Sequence, residues 1–242
     1  MKIFISGSMS LKNLPKKIDD ILLKIIRNNE KVLVGDAKGI DFLVQKFFSE
    51  KKYYNVSVYT IFHKPRNIAN NKFNIIPIIP PNTKNNRINQ MLKDERMIND
   101  ADYCLIIWDG KSKGSYNNIL NALKLNKKVK VFLAKENKFL TKNEINNIKD
   151  FFHKKNGYSA QEIIDEIDCF RNIREFYTFL VNNNILRKEN KKYIPLKEYR
   201  EYFFYEGKYN NLKFCESFLK KLKKLCKNKI KQPTLPNLLG EI

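Results

Sequence analysis

The stretch ADYCLIIWDGKSKGS, residues 101–115, decides the fold of this chain. Its apolar run, Tyr103 to Trp108, predicts a buried strand, and the polar loop that follows contains Gly110 and Gly114. Apolar residues at helical spacing begin just after this loop, near Asn118, and predict a helix. A strand, a glycine-bearing loop and the amino end of a helix present backbone N–H groups and partial positive charge to an anion. The stretch therefore predicts an anion-binding loop in an α/β sheet.

Four further apolar runs predict strands, so the expected fold is α/β with a Rossmann-like parallel sheet of five strands. Helical periodicity fills the intervals between them, which predicts right-handed crossovers. The loops after the first, second and fourth strands each carry glycine, and such loops share the carboxyl edge of a parallel sheet, where ligands bind. The predicted strands are residues 2–5, 31–34, 56–61, 103–108 and 129–133.

The segment His63 to Lys84 has no clear period, and it contains four prolines together with the apolar patch Ile75 to Ile79. Such a long irregular segment within a compact domain is typical of a binding-site lid or of a disordered loop. Because the patch is too apolar to remain solvated, we expect a lid or a partner contact, with an edge strand as the alternative.

The chain of 242 residues has 47 basic and 25 acidic side chains, a net charge of +22. This excess favours a polyanion partner, DNA or RNA, although a composition rich in Lys, Asn and Ile is also typical of an A/T-rich genome. No apolar run reaches the about 20 residues that span a bilayer, and the amino-terminal segment resembles a strand more than a signal peptide. The four cysteines lack metal-ligand spacing. We therefore expect no membrane contact, no metal site and a reducing cytoplasm.

The sequence changes character near residue 139, which predicts a first domain at 1–138 and a mainly helical, basic domain at 139–242. Three cap-x-x-Glu patterns, at Thr141, Ser159 and Asn172, predict helices over about 141–153, 159–167 and 172–184. Apolar pairs around a basic turn then predict a β-hairpin. The outline at 141–195 is that of a winged helix, followed by a C-terminal helical tail. Its predicted nucleic-acid contacts are Arg174, Arg187, Lys188, Lys191 and Lys192.

Two motifs resemble those of a known family. The run RMINDAD at 96–102, followed by WDGKSKGS at 108–115, is similar to a pattern of Arg, Ala-Asp, an apolar strand and Trp-Asp-Gly-x-Ser-x-Gly-Thr. The run GDAKGID at 35–41 is similar to Gly-Gly-Ala-x-Gly-x-Asp. Both patterns belong to the SLOG superfamily of Rossmann-like nucleotide-binding domains, which is related to Lonely Guy proteins and DNA-processing protein A. The resemblance covers roughly residues 1–134.

The resemblance implies a nucleotide or nucleotide-derived ligand of the AMP, ADP-ribose or cyclic-nucleotide class. Loop N–H groups would hold phosphate, Arg96 or Lys38 would neutralise its charge, and Asp41 and Asp109 would accept hydrogen bonds from ribose. The two aspartates could instead only hold their own loops. The predicted ligand-binding set is Gly7, Ser8, Gly35, Asp36, Lys38, Gly39, Asp41, Arg96, Asp109, Gly110, Ser112, Gly114 and Ser115.

Lonely Guy proteins carry a catalytic Glu where this chain has Asn118, and an amide cannot transfer a proton at neutral pH. We therefore assign no catalytic residue and favour a ligand-binding protein over an enzyme. The favoured hypothesis is a cytoplasmic nucleotide sensor of a phage or bacterial conflict system, whose basic domain binds nucleic acid or a partner. The alternatives are a nucleotide N-glycosidase or phosphoribohydrolase, and a DNA-processing protein that binds single-stranded DNA. By the resemblance we also expect a homodimer.

Overall fold

The computed structural model describes residues 1–80, 86–207 and 210–230, with side chains of the last helix described through residue 226. The chain divides into two compact units, Met1–Ile148 and Lys149–Ile242. Two predicted features fall partly outside the described residues, namely the end of the irregular segment at 81–85 and the end of the C-terminal tail at 231–242. Within the described residues, no helix is long and apolar enough to cross a membrane.

The first unit is built on a mixed α/β sheet of seven strands, in the order β4-β3-β2-β1-β5-β6-β7. All neighbours are parallel except β6 and β7, which are antiparallel. The strands are β1 (Lys2–Gly7), β2 (Lys31–Gly35), β3 (Val56–Thr60), β4 (Asn74–Pro77), β5 (Tyr103–Trp108), β6 (Lys128–Leu133) and β7 (Lys138–Phe139).

The α/β class and the parallel sheet are confirmed, but the predicted number of five strands is wrong. The sheet gains an edge strand at each side, β4 and β7. β4 lies in the proline-containing segment, where the alternative of an edge strand holds, and β7 has only two residues. An edge strand of this length carries too little apolar periodicity to be recognised in a sequence.

Helices cover both faces of this sheet, because alternate residues of each buried strand point to opposite sides. In β1, Ile3 and Ile5 pack with residues of α1 and α2, whereas Phe4 packs on the other face with residues of α3 and α4. The helices are α1 (Lys16–Arg27), α2 (Ile40–Glu50), α3 (Asn86–Asp100), α4 (Lys113–Lys124) and α5 (Lys142–Asn146).

The strand order reverses between β1 and β5. The chain runs outward from β1 to β4, and α3 then returns it to the other side of β1, where β5, β6 and β7 follow. The loops after β1 and β5 therefore diverge to opposite faces of the sheet, which opens a crevice at their carboxyl ends. This crevice is where the candidate site lies.

The first unit extends ten residues beyond the predicted domain limit, from residue 138 to Ile148. The added residues belong to its core, since Phe139 packs edge-on against Phe132 with ring centroids 4.9 Å apart. Leu140 donates its N–H to Val131, and Ile145 is buried. The short helix α5 begins at the predicted capping box of Thr141 and Glu144.

The second unit combines helices with two antiparallel hairpins. Its elements are α6 (Ile148–Asn156), α7 (Ala160–Glu166), α8 (Ile173–Asn182), β8 (Leu186–Glu189), β9 (Lys192–Pro195), a 3-10 helix (Lys197–Tyr202), β10 (Phe203–Glu206), β11 (Asn211–Phe214) and α9 (Glu216–Ile230). Phe176, Phe214 and Phe218 are buried at the centre of its core.

Of the elements predicted after residue 139, the three helix starts and the first hairpin are observed. Ser159 forms a capping box at α7, and Asn172 caps α8 through the N–H of Glu175. The predicted helix at 141–153 is two helices, α5 and α6, and the predicted helical tail is preceded by the β10–β11 hairpin. Phe203 and Phe214 of that hairpin pack into the core from its two strands. The role of α8 as a recognition helix stays a prediction.

Candidate functional site

Three loops meet at the carboxyl ends of β1, β2 and β5. Ser8, after β1, has its hydroxyl oxygen 2.6 Å from that of Ser112, after β5. Gly39, before α2, has a left-handed backbone with φ of 77°, and a Cβ there would lie 2.7 Å from the carbonyl oxygen of Ser8. The loops after β1 and β2 are thus in contact at Gly39, where there is no room for a side chain.

These loops surround a cavity of about 480 Å³. That volume falls within the range of about 300–1,000 Å³ that is typical of small-molecule sites. The side chains and backbone that line the cavity come from the end of β1, from the loops after β1, β2, β3 and β5, and from α2, α3 and α4. The lining residues are Ser6, Gly7, Ser8, Met9, Ser10, Ala37, Asp41, Arg66, Arg87, Gln90, Met91, Lys93, Asp94, Asp109, Ser112, Gly114, Ser115, Asn117 and Asn118.

Three hydroxyl groups converge where α4 begins. Ser112 lies 2.6 Å from Ser8 and 3.0 Å from Ser115, oxygen to oxygen. Gly114, between the two serines of this loop, has nothing within 4 Å of the place where a Cβ would project. Because Gly114 also lines the cavity, the amino end of α4 is open to it. Hydroxyls and helix N–H groups in this arrangement can hold a phosphate.

Asp109 shapes the loop that carries these serines. Its carboxylate accepts hydrogen bonds from the N–H groups of Lys111 and Ser112, at 2.9 and 2.7 Å, and from the hydroxyl of Ser10 at 2.6 Å. Burial alone would raise the pKa of Asp109, but these donors hold it below its ordinary value. The carboxylate is engaged on both oxygens, which supports its role in holding the loop.

Asp36 anchors the irregular segment after β3. Its fully buried carboxylate accepts hydrogen bonds from Thr60 at 2.8 Å and from the Arg66 guanidinium at 2.7 Å, and it pairs with Lys93 at 3.3 Å. Burial raises the pKa of this carboxyl, but Arg66, Lys93 and Thr60 outweigh it and hold the pKa at about 2. Gln45 forms a second contact with this segment, because its amide oxygen accepts a hydrogen bond from the N–H of Ala69 at 3.0 Å.

Asp41 is a buried carboxyl that lines the cavity from α2. A Cβ on Gly35 would collide with its Oδ2 atom, so the glycine makes room for the carboxyl. Burial raises the pKa of Asp41 to about 7, although the Lys93 ammonium opposes the rise and the Asp94 carboxylate adds to it. A carboxyl of this kind can donate or accept a proton near neutral pH.

Asp94 is a second cavity-lining carboxyl, from α3. Its Oδ1 atom lies 3.7 Å from the Lys93 ammonium, and its Oδ2 atom accepts a hydrogen bond from the Asn118 amide at 3.4 Å. Burial raises the pKa of Asp94, against the opposing charge of Lys93. A carboxylate therefore lies beside Asn118, where the sequence resemblance indicated that one was missing.

Seven of the thirteen predicted ligand-binding residues line the cavity: Gly7, Ser8, Asp41, Asp109, Ser112, Gly114 and Ser115. The other six, Gly35, Asp36, Lys38, Gly39, Arg96 and Gly110, do not line it. Arg96 is exposed on α3 and pairs with Asp100 at 3.0 Å, and Lys38 is also exposed. Neither residue lines the cavity, and their role in neutralising a phosphate stays a prediction.

The cavity also contains charged residues that the sequence reasoning missed, namely Arg66, Arg87, Lys93 and Asp94. The last three lie on α3, where polar residues at positions 87, 90 and 94 share one helical face. That periodic polar face was a signal available in the sequence. Arg66 follows β3 in the segment predicted as a lid, and nothing in its sequence context singled it out.

No family model and no curated protein matches the chain. Among solved structures, it is similar to DNA processing protein A from Helicobacter pylori, which was described for its single-stranded DNA binding mode. The TM-score is 0.43 at 18% identity, over 76% of this chain and 81% of that chain. The topology described above does not depend on this similarity.

The predicted nucleic-acid residues lie on the second unit. Arg174 is exposed at the start of α8, and the other four, Arg187, Lys188, Lys191 and Lys192, are exposed on the β8–β9 hairpin. Asn190 and Lys191 form its turn with positive φ angles of 45° and 65°. Glu189 is the acidic residue of the hairpin, and it pairs with Arg187 at 3.1 Å.

No group of three or more His, Cys, Asp or Glu side chains suited to a metal ion occurs in residues 1–80, 86–207 and 210–230. The described cysteines form no disulfide, and burial raises the pKa of the Cys104 thiol to about 12. The groups in the cavity lining that can act on a ligand include hydroxyls, backbone N–H groups, amides, basic side chains and the three carboxyls of Asp41, Asp94 and Asp109.

Proposed function

We propose that the first unit binds a nucleotide or nucleotide-derived ligand in its cavity. The observation that carries the proposal is the open amino end of α4, where Gly114 faces the cavity beside the hydroxyls of Ser8, Ser112 and Ser115. Such a helix terminus favours the negative charge of a phosphate. The remaining volume of the cavity, about 480 Å³ in all, is sufficient for a sugar and base.

Isothermal titration of the full chain with AMP, ADP-ribose and cyclic nucleotides tests this proposal. Gly114→Val would extend a side chain into the open space at α4 and is expected to abolish binding. Asn121→Val, on the same helix but outside the cavity lining, is the matched control and should bind as the parent chain does. Absence of heat with every ligand, or unchanged binding by Gly114→Val, would contradict the proposal.

We infer further that the basic β8–β9 hairpin binds the phosphate backbone of a nucleic acid and reports the state of the ligand site. The charge of the hairpin supports this inference, since four of its exposed side chains are basic and only Glu189 is acidic. A basic projection that enters a groove or follows a strand is a common source of sequence-independent affinity. A homodimer, expected from the resemblance, is part of the same proposal.

Fluorescence anisotropy with labelled single-stranded and double-stranded DNA tests the hairpin. A Lys188→Ala, Lys191→Ala, Lys192→Ala variant should weaken binding and reduce the slope of log affinity against log salt by about two to three. The control removes the same charge from exposed sites of the first unit, with Lys12→Ala, Lys16→Ala and Lys51→Ala. Equal losses in both triple variants would mean that net charge alone attracts the DNA.

A second function is favoured by two of the three carboxyls that line the cavity, Asp41 and Asp94. Hydrolysis of an N-glycosidic bond adds water across the bond, with OH to ribose C1′ and a proton to the base. A carboxylate can take the proton from water while a carboxylic acid protonates the leaving base. Asp41, with a pKa of about 7, suits the acid, and Asp94 beside Asn118 suits the base.

Incubation with nucleoside monophosphates, followed by chromatography for free base, tests for this hydrolase. Asp94→Asn and Asp41→Asn should each lower the release of base by at least about a hundredfold, the usual contribution of a proton-transfer group. Asp20→Asn, on the exposed side of α1, is the control. Binding without release of base would leave the sensor as the function of the cavity.

A further inference from the structure

Arg66 is held at the cavity by a buried carboxylate. Its Nη2 atom donates to Asp36 Oδ1 at 2.7 Å and to Gln90 Oε1 at 3.2 Å, and its backbone N–H donates to Asp36 Oδ2 at 3.1 Å. The guanidinium also lies 5.2 Å from the ring centroid of Phe62. These contacts fix its position before any ligand arrives, which lowers the entropy lost on binding.

The guanidinium is only partly used by these contacts. Among the described residues, the Nε and Nη1 atoms of Arg66 have no hydrogen-bond acceptor, and the side chain is 37% exposed where it lines the cavity. A guanidinium has five N–H donors, and those of Nε and Nη1 can each donate a charge-assisted hydrogen bond to an oxygen of a phosphate or carboxylate. Arg66 therefore has donors that remain available for an anion.

The charges around Arg66 do not prevent it from binding an anion. Arg66 and Lys93 share Asp36 as a counter-ion, and Asp94 also faces Lys93, so these four charges balance. Arg87 adds a positive charge to the same cavity, and Asp41 adds a negative charge when it ionises, near its pKa of about 7. The charges on the side of the cavity that Arg66 lines are therefore close to balanced, and an anion can approach Arg66.

Arg66 and the amino end of α4 line the cavity from loops that follow different strands of the sheet. Asp36, which holds the guanidinium, follows β2, whereas Ser112 follows β5 two positions away in the sheet. Two strand spacings amount to about 10 Å. Because this separation of the strand ends is larger than the about 3 Å of one charge-assisted hydrogen bond, we take the two places as contacts for two anionic groups of one ligand.

We propose that Arg66 forms a second anion subsite, so that the cavity takes a ligand with two phosphate groups on different sides of a ribose, a nucleoside bisphosphate or dinucleotide. One phosphate lies at Ser8, Ser112 and the start of α4, and the other accepts hydrogen bonds from Arg66. This inference rests on the proposed nucleotide site and names the class of ligand that fills it. It also gives the segment after β3 a direct role in binding.

Isothermal titration with AMP and GMP, and with adenosine and guanosine 3′,5′-bisphosphate, tests the second subsite on the full chain. The parent chain should bind a bisphosphate at least about tenfold more tightly than its 5′-monophosphate, since a charge-assisted hydrogen bond contributes about that much. Arg66→Gln should remove this preference and leave monophosphate affinity within about twofold. Arg96→Gln, an exposed arginine outside the cavity, is the matched control and should retain the preference.

Arg66→Lys covers the case in which Arg66→Gln fails to fold, because lysine keeps a charge for Asp36 but lacks the further donors that the guanidinium directs away from Asp36. It too should lose most of the preference. Monophosphate binding with no preference for the bisphosphate, or a preference that survives in both variants, overturns the second subsite and leaves the nucleotide site intact. Failure of every nucleotide to bind overturns both proposals.

Discussion

Replacement of Asp41 by asparagine should make the first unit more stable, and increasingly so as the pH rises. Asp41 is 8% exposed, and its carboxyl faces Lys93 and Asp94 in the cavity, with Asp36 nearby. Ionisation places a negative charge in this buried position, where Lys93 is already shared with two other carboxylates. Asparagine has nearly the same shape and carries no charge, so Asp41→Asn removes the cost of ionisation with little change in packing.

The magnitude of this stabilisation follows from the difference between the pKa values of Asp41 in the folded and in the unfolded chain. The pKa of the Asp41 carboxyl is 3.8 in its ordinary environment and about 7 in the folded protein. The folded state holds the proton of Asp41 more tightly than the unfolded state does. Protonation of Asp41 therefore stabilises the fold fully below pH 4, and this stabilisation is lost as the pH rises through 7. The whole loss is about 4 kcal/mol, of which about 3 kcal/mol falls between pH 5 and pH 8.

The assay uses the single tryptophan of the chain. Trp108 is fully buried at the end of β5, so its fluorescence reports unfolding of the first unit separately from the second. Urea denaturation of the parent chain and of Asp41→Asn at pH 5, 6, 7 and 8 gives the free energy of unfolding at each pH. The difference between the two proteins should grow by about 3 kcal/mol over this range.

A difference that stays constant from pH 5 to pH 8 would refute the reasoning, because it would mean that Asp41 titrates alike in the folded and unfolded chains. Asp20→Asn, which removes an exposed carboxyl from α1, controls for the change in net charge and should give a flat difference. A difference of the opposite sign would mean that the Lys93 charge outweighs burial at this position.

Three further predictions concern other features of the two units. Asp36→Asn should destabilise the first unit by about 3 kcal/mol at pH 7, since it leaves two cations without their buried counter-ion, and urea denaturation measures this loss. In the parent chain, the stability that Asp36 contributes should be lost as the pH falls from about 4 to about 2, which acid titration of Trp108 fluorescence would follow. Ser159→Ala should cost about 1 kcal/mol through loss of the α7 cap, measured by far-ultraviolet circular dichroism during heating.

The central sheet could be predicted because its inner strands are buried on both faces. β1, β2 and β5 each contain a continuous apolar run that is buried, whereas β3 and β6 keep enough buried apolar residues beside polar ones to be recognised. The edge strands β4 and β7 were not among the five predicted strands, for the opposite reason. They are short, and β4 is mostly exposed, so their pairing depends on a neighbouring strand rather than on their own sequence.

Residues of the candidate site were predictable where the backbone itself forms the site. Gly7, Ser8 and the loop at 109–115 were recognised because glycine and small polar residues after a strand have few other uses. Lysine and arginine were not, because a long basic side chain can reach a cavity from many backbone positions. Lys93 is 2% exposed within a helix whose sequence is rich in charge, and its burial follows only from its packing against Asp36.

Asn118 illustrates how a correct observation on a sequence can support too broad a conclusion. The position lacks the carboxylate of the Lonely Guy pattern, which led us to disfavour catalysis. In the fold, the Asn118 amide lies 3.4 Å from a carboxylate oxygen of Asp94, contributed by α3 rather than by α4. An alignment compares side chains at one position, whereas acid–base chemistry depends on which groups reach the ligand. The substitution therefore excludes a carboxylate at residue 118 and leaves open proton transfer in the cavity.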